Sequence, residues 1–192
     1  MWIPPSAIGL WLMLRFSTTN SQQIAVTVYG CSILLLFMLS TAFHTVAYCG
    51  KLRQLKSFFH IGDRVAIYIF IAASYTPWLA LKEFHRYGTQ TLWFVWFGAI
   101  LGVYYQYKYH EKCKWLETLL YIFIATIPSI IIIEMVKPSG VKELTAGGMA
   151  YFLGVFFFKS DGIIPFAHAI WHTLVIIGVS IHYVAVCKYL LG

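Results

Sequence analysis

Charge is what this 192-residue sequence has least of: 11% of its residues are charged and 60% are hydrophobic. A soluble domain carries about 25% charged and about 45–50% apolar residues. A single water-soluble core of this size cannot bury so much apolar surface, and the mean hydropathy of +0.74 points the same way. The four cysteines (Cys31, Cys49, Cys113, Cys187) contain no C-x-x-C pair. Their scatter argues against both a zinc ribbon and a disulfide framework. No basic block, low-complexity tail or internal repeat stands out. The formal charge of +7 is therefore read as loop bias in a membrane protein, with no nucleic acid as partner.

What the chain has in abundance is long apolar runs separated by short polar loops. That pattern specifies helices rather than a barrel, whose strands alternate in short segments. The expectation is an all-α membrane protein: one domain over 1–192, a bundle of seven transmembrane helices with the first shortened. The spans fall near 2–16, 24–48, 65–81, 92–107, 115–135, 144–158 and 163–187. The first is short for a crossing of about 20 residues. It carries Pro4 and Pro5, and it lacks the basic start and cleavage site of a signal peptide. Pro77 and Pro128 lie within spans, where neighbouring helices can satisfy the freed carbonyls. Ala150 and Gly154 have the small-x-x-x-small spacing of close helix contact.

Loops after the even-numbered spans share a side with the N-terminus. They hold eight basic residues against six on the opposite side. The bias favours a cytosolic N-terminus.

Sorting the ionisable residues by depth brings out one level. Ser40 and His44, four apart, share a face at the far end of span two. Asp63 stands at the mouth of span three. His168 and His172 open span seven, again four apart on one face, about 6 Å along a helix axis. Ionisable groups at such positions are costly unless partnered or functional. Taken singly, each has an ordinary explanation: the histidines as interface residues, Asp63 as a partner of Arg64 or a helix cap, Ser40 bonded to its own helix. Together, three histidines with an open fourth position form a catalytic-type zinc arrangement, and imidazole suits zinc better than calcium or magnesium. Asp63 would hold or deprotonate a metal-bound water and Ser40 would orient it. His60 and His85 read as solvated loop histidines, His110 as part of a charged turn, and His182 as pointing elsewhere.

At these residues the sequence resembles the progestin and adipoQ receptor family, which includes the adiponectin receptors and bacterial hemolysin III proteins. Ser40-Thr41-Ala42-Phe43-His44, Asp63 ahead of Ile67-Tyr68, and His168-x-x-x-His172 match that family's second and third motifs. The stretches Phe70-Ile71-Ala72-Ala73-Ser74-Tyr75-Thr76-Pro77-Trp78-Leu79 and 157–172 resemble, more narrowly, its monocyte to macrophage differentiation factor branch. The resemblance implies zinc on His44, His168 and His172, with Asp63 and Ser40 close by, at the cytosolic side. For this branch it implies Golgi or late endosome/lysosome membranes and a role in Ras-type signalling and macrophage or microglial activation. Its implied partners are membrane lipids, a ceramide-like lipid or fatty acid in the bundle, and signalling proteins at the cytosolic face.

The family's first motif, with acidic, Asn and His residues around span one, has no counterpart here. The expectation is a truncated product or a lost N-terminal element. Three functions follow: a signalling or regulatory membrane protein with a structural zinc; a zinc-dependent hydrolase of a lipid amide such as ceramide, with Asp63 as general base; and a hemolysin-like pore former. The scarcity of other in-membrane charges counts against a conduction path.

Overall fold

The computed structural model of the chain describes residues 2–50, 53–110, 112–132 and 134–191, with the Lys114 side chain set aside. Lys51, one of the eight basic residues counted on the side of the even-numbered loops, lies outside the described residues. The described chain is all helical: α1 (Ile3–Phe16), α2 (Asn20–Cys49), α3 (Arg53–Leu81), α4 (Gly88–Tyr109), α5 (Lys114–Ile132), α6 (Val141–Lys159) and α7 (Ala167–Val186). A π-helical turn, Cys187–Leu191, extends α7. Among the described residues five helices are long and apolar enough to cross a membrane: α2, α3, α5, α6, and α7 with its π turn. The first helix is short, at 14 residues. α4, at 22 residues, has the length; its Trp and Tyr content dilutes its hydropathy. This is a multi-pass membrane architecture.

The chain forms two compact units, Met1–Lys137 and Pro138–Gly192. In the first, α3 packs against α2, α4 and α5, while α1 packs on α2. The polar stretch before α2 is a capping box: the Gln22 N–H donates to Thr19 Oγ1 (3.2 Å) and the Thr19 N–H to Gln22 Oε1 (3.2 Å), which satisfies two of the orphan donors at a helix start. Tyr68, Ala72, Val95, Ala99 and Ile124 form the core between α3, α4 and α5.

The two helix-interior prolines, Pro77 in α3 and Pro128 in α5, each remove a backbone donor, and side chains serve the carbonyls around them. Trp96 Nε1 donates to Thr76 Oγ1 (3.1 Å), which itself donates to the Ala72 carbonyl (3.0 Å). The Tyr75 hydroxyl donates to the Ala125 carbonyl, one residue beyond the acceptor that Pro128 deprives. Just beyond the prolines, where α3 and α5 end, the α3–α4 and α5–α6 loops are stitched by two backbone bonds, His85 N–H to the Glu134 carbonyl (3.2 Å) and Val136 N–H to the Glu83 carbonyl (3.0 Å).

The second unit is the α6–α7 hairpin. Its two helices approach at glycines: a Cβ on Gly147 would lie 2.3 Å from the His182 ring, and one on Gly178 2.5 Å from the Tyr151 ring. Gly154 accepts the edge of Trp171 in the same way. The register of contact is thus Gly147 and Gly154, two turns apart, with the half-buried Ala150 between them. His182 Nε2 donates to the Leu144 carbonyl at 3.1 Å, an interhelical bond of the kind that holds membrane helices together.

Candidate metal centre

In the first unit, the C-terminal half of α2 runs alongside the N-terminal part of α3. A Cβ on Gly62 would lie 3.4 Å from Leu39 Cδ2, and the Phe43 ring stacks on His60 with centroids 4.7 Å apart and planes 11° from parallel. Ser40 and His44 on α2 and Asp63 on α3 flank these contacts, and all three are half-buried. One end of the first unit therefore brings these three predicted residues to one level.

α3 begins at Arg53, well before its apolar run, so His60 is a helical residue and not the solvated loop residue that the sequence suggested. His60 Nδ1 lies 3.1 Å from His110 Nε2, at the C-cap of α4, and the rings meet edge to face (4.7 Å, 87°). Arg64 Nε lies 3.4 Å from His60 Nε2. A guanidinium is donor-only, so His60 Nε2 accepts, Nδ1 carries the proton, and that proton is directed at His110 Nε2. His110 Nδ1 in turn meets the side-chain amide of Gln106, a residue with no exposed surface.

Arg64 also forms an ion pair with Glu117 (Nη1 to Oε2, 2.7 Å), and Glu117 is 2% exposed. The single proton of the Tyr121 hydroxyl is shared between the Arg64 carbonyl (3.2 Å) and Glu117 Oε1 (3.3 Å). This network ties α3, α4 and α5 together beside Asp63. Sequence reasoning offered Asp63 as a partner of Arg64 or as a helix cap; α3 begins at Arg53, so Asp63 lies within the helix and does not cap it, and Arg64 makes an ion pair that reaches Glu117 on α5.

In the second unit, the turn from α6 to α7 is tightly wound. The Ile163 and Ile164 N–H groups both donate to the Ser160 carbonyl (3.0 and 2.9 Å), and Gly162 takes a left-handed φ of 82°. Phe166, just ahead of α7, also takes a positive φ, 61°, a conformation that costs a non-glycine residue about 1 kcal/mol or more. The turn delivers His168 and His172 to one face in the first turns of α7. Their Nε2 atoms lie 3.0 Å apart and their rings meet at 74° with centroids 4.7 Å apart. Behind His168, Nδ1 lies 3.1 Å from Asp161 Oδ2. An ionised carboxylate only accepts, so Nδ1 carries the proton and Nε2 presents a lone pair toward His172.

Two imidazole nitrogens on a tetrahedral zinc, each about 2.0–2.1 Å from the metal, sit about 3.3 Å apart. The pair is thus close to the spacing that a shared ion requires. A donor set of imidazoles, one backed by a carboxylate, fits zinc. Asp161 is a residue to which the sequence analysis assigned no role.

Comparison with known proteins agrees with this architecture. The model of the haemolysin-III-related family matches residues 3–183, and the chain belongs to that family of multi-pass membrane proteins. Among its relatives is the human monocyte to macrophage differentiation factor, 43% identical over 189 residues, covering 98% of this chain and 79% of the relative. Hemolysin-3 of Bacillus cereus is 33% identical over 194 residues (97% and 84%), and the hemolysin-3 homolog of Bacillus subtilis is 31% identical over 173 residues (86% and 77%). No solved structure matches the chain.

Proposed function

We propose that the chain is a membrane signalling or regulatory protein in which His44, His168 and His172 hold one zinc ion near the cytosolic face. The observation that carries this reading is the His168–His172 pair, two Nε2 atoms 3.0 Å apart with a carboxylate fixing the outer nitrogen of one ring. His44 supplies the third imidazole, from the α2 end that also bears Ser40. Bound there, zinc would acidify a water in its fourth position. The regulatory role follows the name of the mammalian relative, monocyte to macrophage differentiation factor. Ras-type signalling, Golgi or late endosomal/lysosomal membranes and signalling partners at the cytosolic face belong to the same proposal.

A second reading, hydrolysis of a lipid amide such as ceramide, is favoured by Asp63: a half-buried carboxylate on the stretch of α3 that runs alongside the Ser40–His44 stretch of α2. There Asp63 would accept a proton from the attacking water and Ser40 would orient it. Two variants separate the readings. His44→Ala should lower zinc content as His172→Ala does; full zinc retention in His44→Ala would remove His44 from the ligand set. Asp63→Asn should spare zinc and, under the hydrolase reading alone, abolish lipid-amide turnover. Turnover that survives Asp63→Asn would exclude it as the base.

A further inference from the structure

Among the described residues, two histidine pairs have nearly the same shape. His60–His110 and His168–His172 both have centroids 4.7 Å apart, steeply inclined planes, and facing nitrogens at 3.1 and 3.0 Å. They differ in what meets the outer nitrogen of the first ring. At His60 it is the Arg64 guanidinium, a donor, which forces the proton onto the inner nitrogen and makes the pair a hydrogen-bonded clasp between α3 and α4. At His168 it is the Asp161 carboxylate, an acceptor, which draws the proton outward and leaves the inner nitrogen a lone pair. A metal needs the lone pair, and ligating histidines owe their tautomer and basicity to such an outer carboxylate.

We propose that Asp161 is a positioning residue of the metal site: it holds His168 in the Nδ1–H tautomer, with Nε2 aimed at the ion, while Arg64 disqualifies the His60–His110 pair from the same role. The inference rests on the zinc reading above. Asp161 is 53% exposed and His168 39% exposed. As a surface ion pair this contact would add little to folding, so its consequence falls on the metal. The turn that carries Asp161 is fixed by its own backbone bonds to Ser160 and by Gly162, which do not involve the carboxylate.

The test is zinc affinity of the detergent-purified full chain, measured by competition with a chromogenic chelator, together with the visible absorption of the cobalt(II)-substituted protein. Asp161→Ala should weaken zinc about 10- to 100-fold, the range found for loss of an outer-shell carboxylate. It should also shift the cobalt bands, while metal-free melting stays unchanged. Asp161→Glu, which keeps the carboxylate, should recover most of the affinity, and Asp161→Asn, a neutral acceptor, should fall between. Wild-type affinity and an unshifted cobalt spectrum in Asp161→Ala, with His172→Ala depleted of metal, would overturn the role of Asp161 and leave the zinc reading standing. No zinc in the folded wild type would overturn both.

Discussion

Glu117 sits at 2% exposure with its carboxylate on the Arg64 guanidinium. Desolvating such a pair is expensive, and removing one partner strands the other. Glu117→Ala should therefore destabilise the first unit by about 3–5 kcal/mol, read as a lowered melting temperature in detergent. The same network explains why some site residues were legible in the sequence and others were not. His44, His168, His172, Asp63 and Ser40 stood out because each lies at the end of an apolar run, where spacing and depth can be counted. His60 and His110 lie in polar stretches, where sequence alone predicts solvation. Their partnership spans 50 residues and depends on α3 extending twelve residues ahead of its apolar segment. Asp161 was hidden by the opposite circumstance: an exposed aspartate before a glycine is an ordinary turn residue, and only the fold of that turn brings it to His168.

At the scale of elements, apolar runs located the helices well and their ends poorly. Hydropathy reports where a helix becomes apolar, not where its hydrogen bonding starts, so α3 was foreseen from 65 and begins at Arg53. Caps do mark true ends: the Thr19–Gln22 box starts α2, and Gly50, at a φ of 69°, closes it by donating its N–H to the Val46 carbonyl. The α6–α7 hairpin depends on glycines in a way that Ala150–Gly154 spacing only approximated. Gly147→Ala would push a Cβ into the His182 ring and to 3.3 Å from the Gly178 carbonyl. It should cost about 1–3 kcal/mol, the range for overpacking. At the adjacent Gly148 a Cβ would meet nothing within 4 Å, so Gly148→Ala should be neutral or stabilise the helix by about 0.5–1 kcal/mol. Paired melting curves decide it: equal effects at the two positions would remove close packing as the role of Gly147.

At the scale of the whole molecule, sparse charge, seven α-helices among the described residues and a family match over residues 3–183 describe a multi-pass haemolysin-III-related membrane protein. Its polar chemistry is concentrated in a few places. One end of the first unit carries Ser40, His44, Asp63 and the Arg64–Glu117 network. The second unit carries Asp161, His168 and His172 at the start of α7.

The decisive measurement is the metal content of the detergent-purified protein beside a His44→Ala/His168→Ala/His172→Ala triple variant. About one zinc per chain in the wild type, absent from the triple variant, is expected. A folded wild type without zinc would contradict the metal centre, leaving these histidines as polar helix-interface residues, and the hydrolase reading would fall with it.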